Sequence, residues 1–196
     1  MRSDNLFAFA IFAITAFGFF VWGYQYIPTH HFLLFSIASI FGIFMAFNIG
    51  GNDVANSFGT SVGAKTVTIK QALVIAAIFE LSGAIFAGGE VTKTIREGIV
   101  SFPQEDTKPM LFVLIMMSAL LSSGIWLFIA SKKGLPISTT HSIVGGIVGA
   151  GLTMGFTTMG GDKALAMVSW GEIGRIAVSW VISPLLGGIL SYFIYG

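Results

Sequence analysis

No cysteine occurs in the 196-residue sequence, which removes disulfides, thiolate metal sites and cysteine nucleophiles together. Charge is nearly as scarce. Asp, Glu, Lys and Arg make up 10% of the chain, against about 25% in a soluble domain. The formal net charge is +1, which indicates neither nucleic-acid binding nor a polybasic membrane anchor. Histidine is rare too, and only His141 lies deep in an apolar segment, so a histidine-based metal centre is not indicated. There is no glycine-rich nucleotide loop and no Ser/His/Asp context, so no enzyme chemistry is visible.

What fills the chain is apolar. Hydrophobic residues account for 55% of it, and the mean hydropathy is +0.87. A helix needs about 20 apolar residues to cross a hydrocarbon core about 30 Å thick. Continuous apolar runs at 6–26, 32–48, 68–87, 109–130 and 176–195 approach or meet that length. They do not alternate with polar residues, so membrane strands are not expected. The fold class is therefore all-α: a single transmembrane domain, 1–196, of polytopic helices in a multi-pass cell-membrane protein. The run at 6–26 is read as a retained helix, because no small-residue cleavage site follows its long apolar region. Pro184 is expected to kink or split the last segment.

Three features complicate a plain count of crossings. The glycine-rich run at 142–154 is short for a span. The hydrophilic stretch at 90–108 carries Lys93, Arg96, Glu97, Glu105, Asp106 and Lys108. With six full crossings, Arg2, Lys65, Lys70, Lys132 and Lys133 fall on one side and Lys93, Arg96, Lys108, Lys163 and Arg175 on the other. That tie gives no positive-inside orientation. Either orientation is weakly encoded or six plain crossings is the wrong count; a re-entrant hairpin changes the sides, and the second explanation is preferred. The chain also ends straight out of an apolar segment, which reads as a partial protein or a repeat that works with a partner.

Two polar constellations interrupt the apolar background. The first is Asn52, Asp53 and Asn56, behind Gly50 and Gly51. An acid at membrane depth costs about 2.5–3.5 kcal/mol on insertion scales. If the stretch is helical, residues three and four apart share one face. Their oxygens then form a patch suited to a hard cation such as Na⁺. The glycines are expected to break the helix and turn carbonyls inward. The bland alternative is a helix end at the interface with Asp53 as a solvated cap. Gly59 and Gly63 fit a helix-packing face.

The second constellation is Ser138, Thr139, Thr140 and His141, after Pro136. Proline followed by hydroxyls marks a helix start. Free N–H groups and the positive dipole end make such a start an anion site without Lys or Arg. A capped helix with no ligand explains the same residues. Gly145, Gly146, Gly149 and Gly151 permit close helix contact. Glu80, inside the third apolar segment, either pairs with Lys65, Lys70 or backbone, or belongs to an ion path.

Together these motifs resemble the inorganic phosphate transporter (PiT) family. The resemblance is carried by the run from Gly50 through Asn52-Asp53-Val54-Ala55-Asn56 to Lys65, by Glu80, by Ala87-Gly88-Gly89-Glu90-Val91-Thr92 and by Leu135-Pro136-Ile137-Ser138-Thr139-Thr140-His141. It covers roughly residues 33–155 and follows the N-terminal repeat. It implies symport of inorganic phosphate with Na⁺ or H⁺, two repeats of inverted topology, and no cofactor beyond the co-transported ion. It implies phosphate contact by Asn52, Asp53, Ser138, Thr139 and Thr140, and cation coupling at Asn52, Asp53, Asn56 and Glu80. Only one copy of each motif is present, so the expected partners are a second repeat or a second copy of the chain, besides lipid. The alternatives are a sulfate or other oxyanion permease of the same family, an anion channel, and a non-transporting assembly subunit.

Overall fold

The computed structural model describes residues 3–101 and 109–195. The five longest of the apolar runs each form a helix, and among the described residues there are seven α-helices. They are α1 (Ser3–Tyr24), α2 (Phe32–Gly63), α3 (Ile69–Lys93), α4 (Pro109–Lys132), α5 (Thr139–Thr158), α6 (Gly161–Ala166) and α7 (Trp170–Tyr195). A 3₁₀ turn, Thr29–His31, precedes α2, and a π-helical turn, Thr94–Gly98, follows α3. Among the described residues, five helical segments are long and apolar enough to cross a membrane: α1, α2 with its preceding turn, α3 with the start of its π turn, α4 and α7. This is the architecture of a multi-pass membrane protein. Glu105, Asp106, Lys108 and Arg2, used in the sequence reading of charge, lie outside the described residues.

Several boundaries differ from the sequence reading. Gly50 and Gly51 do not break their helix: α2 runs unbroken for 32 residues. A helical glycine costs only about 1 kcal/mol relative to alanine. Leaving backbone groups unpaired in an apolar setting costs several times that. The same balance keeps α7 helical through Pro184, so it is not split. The polar stretch that begins at Glu90 starts as helix, continuing to Gly98. The segment after Gly155 holds the end of α5, all of α6 and the start of α7 rather than a loop.

The helix ends are explained by named residues. Thr68 begins α3 with a capping box: its hydroxyl accepts from the Gln71 N–H (3.3 Å), and Gln71 Oε1 accepts from the Thr68 N–H (2.8 Å). Gly134, at φ 67°, ends α4, and the Leu135 N–H reaches back to the Ala130 carbonyl at 2.9 Å. This left-handed stop turns the chain into 135–138 and so sets where α5 begins.

The chain divides into two compact units. One contains α1, α2, the part of α4 from Leu120 and the chain to Ser142. Within it α4 meets α2 at Gly124, where an added Cβ would lie 2.9 Å from Phe44 Cδ1. The Phe44 and Phe128 rings are 6.0 Å apart, and Lys132 Nζ caps Phe128 at 4.7 Å. Phe12–Phe47 and Phe20–Phe35 contacts, both at 5.4 Å, join α1 to α2.

The other unit contains α3, the remainder of α4 and α5, α6 and α7. Its buried centre is Ile99, Val100, Ala119, Val144, Ile147 and Met167. Here two short non-helical stretches pair. Ser101 N–H donates to the Met167 carbonyl (2.8 Å), and Ser169 N–H donates to the Ile99 carbonyl (3.0 Å). The pair Val100–Val168 is thus the non-hydrogen-bonded position of an antiparallel bridge, where Cα atoms lie about 4.5 Å apart. That spacing falls inside the disulfide range. Because the chain has no cysteine, V100C/V168C is expected to give one intramolecular crosslink under mild oxidation. A gel-mobility assay with and without reductant checks this, and a pair that stays reduced contradicts the bridge.

Close helix contact at the α5 glycines is realised selectively. An added Cβ at Gly151 would meet Val100 at 3.0 Å, whereas Gly145 and Gly149 have nothing within 4 Å. Gly59 and Gly63 likewise have no close neighbour among the described residues. Gly155 is the tightest position: a Cβ there would lie 2.7 Å from Ala164 Cβ and 2.8 Å from its Cα. Backbone cannot yield as a side chain does, so Gly155→Ala is expected to destabilise by about 1–3 kcal/mol. Thermal unfolding of the purified protein measures it, and an unchanged midpoint contradicts this packing.

Candidate functional site

The polar residues of α2 meet the connection between α4 and α5, all inside the first unit. The helical repeat places Asn48, Asn52 and Asn56 in one row. Asn48 Nδ2 donates to the Phe44 carbonyl at 2.7 Å. Asn52 is buried, at 4% exposure. Its Nδ2 donates to Ser131 Oγ at 3.4 Å, and its Oδ1 accepts from Asn56 Nδ2 at 2.9 Å. Asn56 Nδ2 also donates to the Ile137 carbonyl at 3.0 Å. A carbonyl only accepts, so this contact fixes which side of the Asn56 amide faces the connection. The Asn56 Oδ1 is left over for another donor or a cation.

Asp53, one residue on, is half-buried and accepts the Thr139 hydroxyl at 3.4 Å. Asn52, Asp53 and Asn56 therefore each hold a different point of the segment 131–139. The expected convergence of these three residues is present, on an intact helix rather than a broken one.

The three hydroxyls at the start of α5 have separate tasks. Ser138 is the cap: its Oγ accepts the His141 N–H at 3.2 Å. Thr139 faces Asp53. Thr140 is exposed on the first turn. Ser142 Oγ donates back to the Ser138 carbonyl at 2.9 Å, and Ser123 Oγ of α4 donates to the Ser142 carbonyl at 2.8 Å. Trp126, Pro136, Ile137, Ser138, His141 and Ser142 line an open pocket of about 520 Å³. The capped-helix reading thus describes Ser138, while Thr139 is tied to the carboxylate.

Glu80 lies on α3, exposed and in the second unit. Among the described residues no group of three or more His, Cys, Asp or Glu side chains could hold a metal ion. A cation here would meet one carboxylate plus amide, hydroxyl and carbonyl oxygens. That donor set fits a hard monovalent ion better than a tightly held transition metal.

Ser131, Ser123, Trp126 and the Ile137 carbonyl escaped the sequence reading. Ser131 had the only available signal, a hydroxyl beside a basic helix end. Trp126 reads as one more aromatic in an apolar helix, and a backbone carbonyl has no sequence signature.

A family model described as the phosphate transporter family matches residues 49–196. A Mycobacterium bovis protein named "Putative phosphate permease" is 59% identical over 160 residues, covering 82% of this chain and 29% of that protein. An Arabidopsis thaliana protein named "Inorganic phosphate transporter 2-1, chloroplastic" is 45% identical over 156 residues, covering 80% of this chain and 25% of its own length. A solved structure titled "The sodium-dependent phosphate transporter" superposes with a TM-score of 0.71 at 42% identity, over 83% of this chain and 38% of that one. The chain thus spans well under half the length of these relatives. The matched family and solved neighbour are transporters, not enzymes.

Proposed function

Because the chain belongs to the phosphate transporter family, we propose that it carries one repeat of a secondary transporter that moves inorganic phosphate together with Na⁺ or H⁺. The observation that carries this reading is the convergence of Asn52, Asp53 and Asn56 on Ser131, Ile137 and Thr139. It puts the Asp53 carboxylate, inside a helix long and apolar enough to cross a membrane, beside the first turn of another helix. A cation suits the first, and an oxyanion suits the second. Phosphate carries between one and two negative charges at neutral pH, which hydroxyls and helix dipoles only partly offset. A co-bound cation at Asp53 supplies the remainder and links the two fluxes. Ser138, Thr139 and Thr140 take the anion side, Asn52 and Asn56 the cation side, and Glu80 a place on the ion path.

A site between inverted repeats needs both of them. In this proposal a second repeat, in the same polypeptide or in a second copy, completes the site, and α5 is the re-entrant element between five crossing helices. The matched region covers 29% of the Mycobacterium bovis protein and 38% of the solved neighbour, which supports room for a second repeat.

The test is ³²P-phosphate uptake into proteoliposomes holding the assembled transporter, driven by a Na⁺ gradient or by a pH gradient. Accumulation above the external concentration is expected with one of them. Passive equilibration under both would mark an anion channel and sink the symport reading. Excess sulfate should leave phosphate uptake largely intact, and full competition would reassign the substrate class.

A further inference from the structure

We propose that the Thr139 hydroxyl is a two-position switch: it serves Asp53 while that carboxylate is unneutralised, and turns to phosphate once a cation neutralises it. The inference rests on the transport reading above and adds an order, cation first and anion second.

Thr139 Oγ1 donates to Asp53 Oδ2 at 3.4 Å. A hydroxyl has one proton, so it serves one acceptor at a time. While Asp53 holds that proton, the Thr139 side chain offers an incoming oxyanion only lone pairs. The carboxylate is also the wrong neighbour for phosphate. It sits against the first residue of α5, where the dipole favours negative charge. Asp53 thus occupies as a tethered anion the position that a free anion needs.

The neighbouring hydroxyls are not tied to the carboxylate. Ser138 Oγ accepts the His141 N–H and keeps its own proton, Thr140 is exposed, and the Ser142 proton goes to the Ser138 carbonyl. It is therefore Thr139 whose donor passes between Asp53 and an anion. At 3.4 Å the Thr139–Asp53 contact is long for an O–H···O bond, so exchanging acceptors costs little. The frame does not depend on it. Asn56 holds Asn52 and Ile137, and Asn52 holds Ser131, without involving Asp53. The Thr139 hydroxyl can therefore swing while α2 stays docked on the α4–α5 connection. Neutralising Asp53 then does two things at once: it removes the competing charge and frees a donor.

The experiment is equilibrium binding of ³²P-orthophosphate to the assembled transporter. One condition supplies both candidate cations (NaCl, pH 6), and the other supplies little of either (choline chloride, pH 8). Wild type is expected to bind about tenfold more tightly in the first, a gain typical of coupled sites. Asp53→Asn, measured in choline at pH 8, is expected to bind about tenfold more tightly than wild type does there. Thr139→Val should lose most of the gain from the opposite end, binding weakly in both conditions, and Thr139→Ser should restore it. Asp53→Asn binding no tighter than wild type in choline overturns the proposal. So does Thr139→Val keeping the full cation-dependent gain, and this arm stands even if Asp53→Asn fails to fold. Gradient-driven uptake by wild type is run alongside. Intact uptake with a failed binding pattern removes the switch alone, whereas absent uptake and absent binding remove the transport reading with it.

Discussion

Asp53→Asn is expected to reduce gradient-driven phosphate uptake to a few per cent of wild type while leaving membrane insertion and phosphate binding in place. The substitution changes one oxygen for an amide nitrogen and hardly alters volume. The new amide keeps one oxygen that can accept from Thr139, but being neutral it holds that hydroxyl less tightly than the carboxylate does. What disappears is the negative charge, the one feature here able to hold a cation strongly at membrane depth. Without it the gradient has no purchase on the cycle. A loss of this size corresponds to about 2 kcal/mol, within the usual range of coupling free energies. Uptake and equilibrium exchange in the same proteoliposomes separate coupling from binding. Near-normal driven uptake in the variant would remove Asp53 from the cation site.

The second large effect is expected at Asn56. Its Nδ2 faces two acceptors, Asn52 Oδ1 at 2.9 Å and the Ile137 carbonyl at 3.0 Å. Asn56→Asp keeps the shape and replaces that donor with an acceptor-only oxygen. Two favourable contacts become two oxygen–oxygen repulsions, and a second carboxylate is added three residues from Asp53. The bond to the Asn52 oxygen is part-buried, and losing such a bond costs about 1–3 kcal/mol, while the exposed one to Ile137 costs less. Asn56→Asp is therefore expected to cut uptake at least about tenfold and to lower thermal stability. Asn56→Ala, which deletes the donor without adding charge, should be milder on both measures. Equal effects for the two substitutions would mean that the amide's orientation is unimportant, contrary to the geometry.

The membrane class, the helical character and the short-range geometry were legible in the residues themselves. Scarce charge and long apolar runs dictate spanning helices because backbone groups in lipid have to pair within their own segment. The spacing of Asn52 and Asn56 dictates a shared face for the same reason that any helix repeats near 3.6 residues. The start of α5 was readable from Pro136 and the hydroxyls after it, with Ser138 as the cap. The fate of Gly50 and Gly51 was not, because local propensity favours a break and the cost of unpaired backbone outweighs it.

The tertiary structure alone decided which polar groups meet. Thr139 and Asp53 are 86 positions apart, Asn56 and Ile137 are 81, and Asn52 and Ser131 are 79. Each hydroxyl of Ser138, Thr139 and Thr140 looks equivalent in the chain, yet only Thr139 faces the carboxylate. Periodicity operates over a few turns of one helix and says which residues share a face. Which face meets which depends on where Gly134 stops α4, how closely Gly124 admits Phe44, and therefore where the α4–α5 connection lies against α2. Those are matters of shape between helices distant in sequence, and no local pattern of residues encodes them.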